Sequence, residues 1–395
     1  MTTPHDSTPI DSQFKRIQMR ALMVGLVALI PCAVGWYLNP AQFFQSYLYA
    51  FLFWNGLAIG SLGIYLLHNV VGGNWGAVIR RFLEAGAKTL PLSFILLLPI
   101  MIFGMQSVYL WAQPQMAADP IIHHKAPYLN VPFFIARAVG YFAIWIFIVW
   151  RLVRLSELQD RTGDAGIQEK MRAFSAPALL VFTLTGTFAF FDWIMSLEPY
   201  WFSTIYGAMY LIGQMLQTFG FVIALLIVLA PRKPFKDVLK THHFHDLGNL
   251  LFAFTMLWAY LSFSQFIIIW AGNLPEEIPW YIRRFSGGFG VIAVAISLFH
   301  FALPFFLLLH RFVKKTPSLL YKVAVGMVCI RLLDIFWVVE PAFRQRGLNV
   351  HWLDFVTPVA IGGLWIAAFV WRLRERPLLP LHDARLANQT LEVEV

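Results

Sequence analysis

Cysteine is almost absent. Two occur among 395 residues, Cys32 and Cys329, with no CxxC, no CxxCH and no cysteine cluster. A disulfide framework, a covalently attached haem and an iron–sulfur cluster therefore have no ligands in this chain. Both cysteines fall in apolar stretches and are expected to be small buried residues. Charge is scarce as well, at 13% of residues against about a quarter in a soluble domain. No Walker A, G-x-S-x-G or H-E-x-x-H pattern occurs, so ATP-driven transport and those hydrolase chemistries have no support. A water-soluble globule needs more polar surface than this composition supplies. A cytosolic enzyme, a secreted disulfide scaffold and a nucleic-acid-binding module are excluded.

What the chain has is apolar mass: 59% hydrophobic residues, 37 of its residues Phe, and a mean hydropathy of +0.65. A membrane-spanning helix needs about 20 mostly apolar residues. Ten stretches qualify, at 21–38, 46–71, 89–112, 132–154, 174–197, 202–230, 248–272, 288–313, 319–341 and 352–373. Hydrocarbon tolerates no exposed irregular backbone, so each is expected to be helical. The expected fold is all-α, a polytopic membrane protein of ten transmembrane helices occupying 21–373. Polar segments 1–20 and 374–395 flank it. No small-residue cleavage site follows the first run, which reads as a retained anchor and not a signal peptide. Trp36, Tyr37, Trp111, Tyr200, Trp201, Trp280, Tyr281 and Trp352 mark span ends, as an aromatic belt would.

The net charge of +9 is distributed by topology. Lys125, Arg283, Arg284, Arg344 and Arg346 fall on one side. Arg137 and Arg331 fall inside spans, and all other Lys and Arg residues fall on the opposite side. The positive-inside rule then places both termini in the cytoplasm. This bias also accounts for the basic balance without a nucleic-acid partner.

Span five ends Phe191-Asp192-Trp193-Ile194-Met195-Ser196-Leu197-Glu198-Pro199, and span nine ends Leu333-Asp334-Ile335-Phe336-Trp337-Val338-Val339-Glu340-Pro341. Both read D-x5-E-P at the outer end, 142 residues apart. Four spans separate them, so both helices run the same way. A parallel repeat is expected, with spans 2–5 (about 46–197) and 6–9 (about 202–341) as two four-helix bundles.

Charged residues within spans are candidates for function. Asp192 lies six residues before Glu198, about 9 Å along a helix, and Pro199 biases Glu198 off the helix towards the outer interface. Asp192 is either a proton-carrying carboxylate or one satisfied by hydroxyls or by Arg137 of span four. Asp334 has Arg331 three residues earlier on the same helix face, which points to a structural ion pair. Glu340 is placed like Glu198, and Asp354 reads as a solvated cap. The proton-path candidates are Asp192, Glu198, Asp334, Glu340 and His300. His68 and His300 sit at different depths, which argues against a bis-histidine haem and leaves His300 as a relay or core residue. His242, His243, His245 and Asp246 read as a solvated loop with a helix cap at Asp246 rather than a metal site, and His123 and His124 read likewise. Between spans seven and eight, the exposed Glu276 and Glu277 are candidates for docking an extracytoplasmic subunit.

Four stretches carry a resemblance: FWNGLAIG (53–60), GGNWGAVIRR (72–81), FDWIMSLEP (191–199) and WAGNLPEEIPWY (270–281). They resemble the ActF subunits of bacterial alternative complex III, within the NrfD/PsrC-like membrane subunit family, over residues 15 to 375. The resemblance implies two four-helix bundles and membership of a quinol:electron-acceptor oxidoreductase in the bacterial inner membrane. It implies as partners an iron–sulfur subunit, a multihaem c-type cytochrome, a second NrfD-like subunit (ActC) and small membrane subunits. Haem c and iron–sulfur clusters would sit on those partners, quinone or menaquinone would serve the complex, and no cofactor would be bound covalently to this chain. The main quinol pocket is assigned to ActC, leaving this chain to support assembly and to conduct protons through Asp192, Glu198 and Glu340. A secondary transporter built from two parallel repeats is the competing expectation.

Overall fold

A computed structural model describes residues 9–344, 347–383 and 385. Arg346 and half of the expected C-terminal tail lie outside the described residues. The described chain is helical with no strands, as an apolar environment requires of a backbone that must satisfy its own hydrogen bonds. Ten long helices follow one another: α1 (Pro9–Leu38), α2 (Pro40–Val71), α3 (Arg80–Val108), α4 (Val131–Thr162), α5 (Gly166–Trp193), α6 (Tyr206–Leu229), α7 (Thr241–Gly272), α8 (Phe289–Leu309), α9 (Pro317–Val339) and α10 (Leu353–Arg374). All except α9, which carries Lys322, Arg331 and Asp334, are long and apolar enough to cross a membrane. The chain is a polytopic helical membrane protein.

Boundaries shift from the sequence expectation where polar residues continue a helix past the apolar run. Helix α4 extends to Thr162 and ends at Gly163 in a left-handed conformation (φ 67°), the geometry that glycine adopts without strain. Helix α3 starts at Arg80, before its apolar run, bends at Lys88 and Thr89, and widens into a π turn at Ile100–Gly104 just after Pro99. Helix α8 has a π turn at Ser297–Ala302. Pro304 has no N–H for the carbonyl of His300, so the regular helical ladder cannot continue there. The expected loop at His242–Asp246 is instead the opening of α7, which starts at Thr241, so Asp246 caps nothing.

Helices α2 and α6 form the centre. α2 packs against α3, α5, α6 and α10, and α6 packs against α5, α7 and α9; α4 lies on α5, α8 lies on α7 and α9, and α1 pairs with α10. Lipid tails are as apolar as leucine, so close van der Waals packing must replace hydrophobic sorting between helices. The α1–α10 crossing depends on Gly25 and Gly363, where a Cβ on Gly363 would lie 2.4 Å from the Gly25 nitrogen. At the α2–α6 crossing a Cβ on Gly60 would lie 2.4 Å from the Gln214 carbonyl oxygen.

Two expectations about exposure fail. Cys32 is buried, but Cys329 is exposed, because the lipid-facing side of a span is as apolar as its interior and composition does not tell them apart. Trp111, Trp201 and Trp280 are buried rather than belt residues. Trp201 and Trp280 stack on each other with centroids 5.0 Å apart.

Gly60→Ala should lower the stability of the purified protein by about 1–3 kcal/mol, the usual cost of overpacking. Gly140→Ala, with nothing within 4 Å of its Cβ, should be neutral. Thermal unfolding in detergent checks both, and an unchanged Gly60→Ala would mean that α2 and α6 do not meet there.

Candidate functional site

The two D-x5-E-P stretches lie at one end of the molecule, and their carboxylates have different surroundings. Asp192, at the end of α5, is held by α4. Arg137 Nε and Nη2 donate to its two oxygens at 2.8 and 2.9 Å, and the Tyr141 hydroxyl donates at 2.9 Å. The guanidinium lies over the Tyr128 ring at 3.8 Å. Of the two readings of Asp192, this arrangement favours the satisfied carboxylate, since a bidentate guanidinium and a phenol donate to its oxygens.

Glu198 leaves the helix after a 3-10 turn, Met195–Leu197, as the following proline dictates. It is buried. Arg283 and Arg284 of the short helix Pro279–Phe285 each come within 2.7 Å of it. Arg284 also donates to the Val338 carbonyl at 2.6 Å and lies 3.7 Å over the Trp280 ring. One arginine thus connects the first Glu-Pro turn to the end of α9. Nearby, Lys125 donates to the Pro199 carbonyl at 2.6 Å, and the Tyr200 hydroxyl donates to Asp119 at 3.0 Å. Hydrogen bonds from the Ile122 and Ile121 amides and from Tyr200 hold the Asp119 carboxyl below its usual range, and burial pulls Lys125 down.

Glu340 is fully buried and paired with Arg344 at 2.7 Å. Arg344 also reaches Asp354 at 2.7 Å. Asp354 is not a solvated cap: it is buried and accepts from Ser46 of α2 at 2.6 Å and from the His351 amide at 2.8 Å. Glu276 is exposed on the turn after α7, while Glu277 is half-buried.

Asp334 differs from all of these. Its ion pair is with Arg331 of its own helix, and His300 Nδ1 lies 3.7 Å away. The His300 ring packs on Trp258 at 4.1 Å, and neither ring nitrogen makes a hydrogen bond among the described residues. Arg331 is buried with its Nε and Nη2 unpartnered among the described residues. Both Arg331 and Asp334 line a cavity of about 390 Å³ between α6, α7, α8, α9 and the short helix. Its walls are mainly aromatic, including Tyr210, Phe263, Trp280, Tyr281 and Trp337. Apolar walls with a few convergent polar groups are what a ligand pocket requires.

The opposite, basic end holds a network with no counterpart among the residues that the sequence singles out. Glu84 is buried at the head of α3 and accepts from Arg80 (3.1 Å), Arg81 (2.6 Å), Ser156 (2.6 Å), Tyr65 (3.0 Å) and Arg376 (3.0 Å). Arg80 and Arg81, which read from the sequence as topological charges of the basic side, are buried. Their spacing to Glu84 on one helix face is the available signal. Asp383 pairs with Arg385 at 2.7 Å and Arg80 at 3.3 Å, tying the chain after α10 beneath α2, α3 and α4. Compared with models of known families and with curated proteins, the sequence matches none.

Asp192→Asn should destabilise the protein by about 3 kcal/mol, because it leaves the half-buried Arg137 charge without its partner. Replacing both residues by leucine should recover most of the loss, as thermal unfolding would report. A second expectation concerns Asp383. Burial alone would raise its carboxyl, but Arg385 and Arg80 outweigh that and hold it below its usual value. A depressed carboxylate stabilises fully above the unfolded pKa of about 3.9 and loses that contribution as pH falls through the folded value. Hydrogen-exchange protection around Asp383 should therefore persist at pH 6 and disappear only in strong acid, whereas Asp383→Asn should lose it at neutral pH.

Proposed function

We propose that the chain is a membrane subunit of a quinol:electron-acceptor oxidoreductase of the alternative complex III type, in the bacterial cytoplasmic membrane with both termini inside. In this reading all ten long helices cross the bilayer, and α2–α5 and α6–α9 form two four-helix bundles. The partners are an iron–sulfur subunit, a multihaem c-type cytochrome and a second NrfD-like subunit, and they carry the redox centres.

The cavity beside Arg331 and Asp334 is the observation that supports this reading. Its aromatic walls suit a planar, lipid-soluble ring such as a quinone. The Nε and Nη2 of Arg331 offer donors to a ring carbonyl, and Asp334, with His300 behind it, offers a group that can exchange a proton. Asp192 and Glu198 hold helices and turns in place in this reading. A secondary transporter built from parallel repeats is less well supported, because the π turns fall in α3 and α8, which are not equivalent helices of the two halves.

Gentle purification from native membranes, with mass spectrometry of the recovered chains, tests the assignment. Recovery with haem c and iron–sulfur subunits is expected; recovery alone would overturn it. In the intact complex, Asp334→Asn should slow quinol oxidation about 100-fold, the scale of a lost acid–base group. An unchanged rate would remove Asp334 from the proton path.

A further inference from the structure

The basic end carries a second cavity, which the proposed function does not use. It is a groove of about 340 Å³ between α3 and α4, closed at one end by Arg372 of α10. Pro91, Ile146, Val149, Trp150 and Val153 make its apolar wall. Trp150 is 50% exposed, so a large ring stands open along a face that belongs to the bilayer.

The polar end of the groove holds Lys88, Arg154, Glu157 and Arg372. Lys88 and Arg372 converge on one carboxylate: Lys88 is ion-paired with Glu375, and Arg372 Nη1 lies 2.8 Å from the other Glu375 oxygen. Two cations therefore share a single counter-charge. Arg154 adds a third, its guanidinium 5.1 Å over the Trp150 ring. It stands where the apolar run 132–154 of α4 ends, at the depth where headgroups begin. Positive charge in excess at the end of a membrane-facing apolar groove is complementary to an amphiphile with an anionic head and acyl chains.

We propose that this groove binds an anionic phospholipid, its phosphate between Lys88, Arg154 and Arg372 and an acyl chain along Pro91, Val149 and Trp150. A zwitterionic lipid is disfavoured, because it carries no net negative charge to offset the positive charge that remains when Glu157 and Glu375 are set against the three cations. Glu157 and Glu375 at the rim can accept from the hydroxyls of a glycerol headgroup.

The test uses the full chain in detergent, with phosphatidylglycerol and phosphatidylcholine of equal chain length, and counts retained lipid by native mass spectrometry. Phosphatidylglycerol should be retained in preference. Arg154→Gln should weaken its retention about five-fold, the effect of one interfacial cation. Arg151→Gln, which removes an exposed charge one turn away on the same helix but outside the groove, should change it less than about two-fold on the same scale. Trp150→Ala should also weaken retention, through the wall instead of the charge. Equal retention of the two lipids, or equal losses in the two arginine variants, would overturn the proposal. So would displacement by free glycerol phosphate, which would mark a site for soluble anions.

Discussion

A carboxylate buried away from water is tolerable only when a cation and hydrogen bonds replace its hydration. Much of this structure is arranged around that constraint. Asp192, Glu198, Glu340, Asp354 and Glu84 are each buried, and each is met by arginine. Arginine suits the task better than lysine, because its planar fork serves two oxygens at once and is less strongly hydrated. Several arginines of these clusters also join segments far apart in the chain. Arg137 fixes α4 on α5, Arg284 joins two turns, and Arg376 brings the chain after α10 to α3. Between helices in lipid the hydrophobic effect selects no particular register. Satisfying charge does.

Asp334 shows the same rule with a different outcome. Its arginine is three residues away on the same helix, so the pair fixes no contact between helices. Arg331 keeps two nitrogens without a hydrogen-bond partner among the described residues; its guanidinium packs against α6 at Gly213, and the residue lines the cavity. A polar group held in place without being consumed by the fold is available to a ligand. Arg284 and Arg344 also have unpartnered nitrogens among the described residues, so what distinguishes the Arg331–Asp334 cluster is the cavity that both residues line.

Local features of the fold were legible in the sequence. Long apolar runs marked the helices, Pro199 marked the departure of Glu198 from its helix, and the three-residue spacing marked Arg331 with Asp334. Contacts between distant segments were not. Asp354 reads as a solvated cap because its partner Ser46 lies 308 residues earlier. Arg80 and Arg81 read as loop charges because a tally of cations cannot register that Glu84, Ser156 and Arg376 gather around them. The cavity was hidden for a related reason: Trp280 and Tyr281 occur at a span end, where aromatic residues usually face headgroups, and only packing turns them inward.

The two D-x5-E-P stretches bring these points together. The same D-x5-E-P spacing ends α5 and α9, yet Asp192 is closed by a neighbouring helix while Asp334 opens on a cavity. The difference lies in what faces them. Arg137 and Tyr141 of α4 fill the space beside Asp192. Beside Asp334, α8 is widened by its π turn and presents His300, whose ring leans on Trp258 and whose nitrogens remain unbonded among the described residues. Pro304 prevents α8 from closing into a regular helix at that level. A backbone irregularity in one helix thus leaves the second carboxylate with room around it that the first does not have.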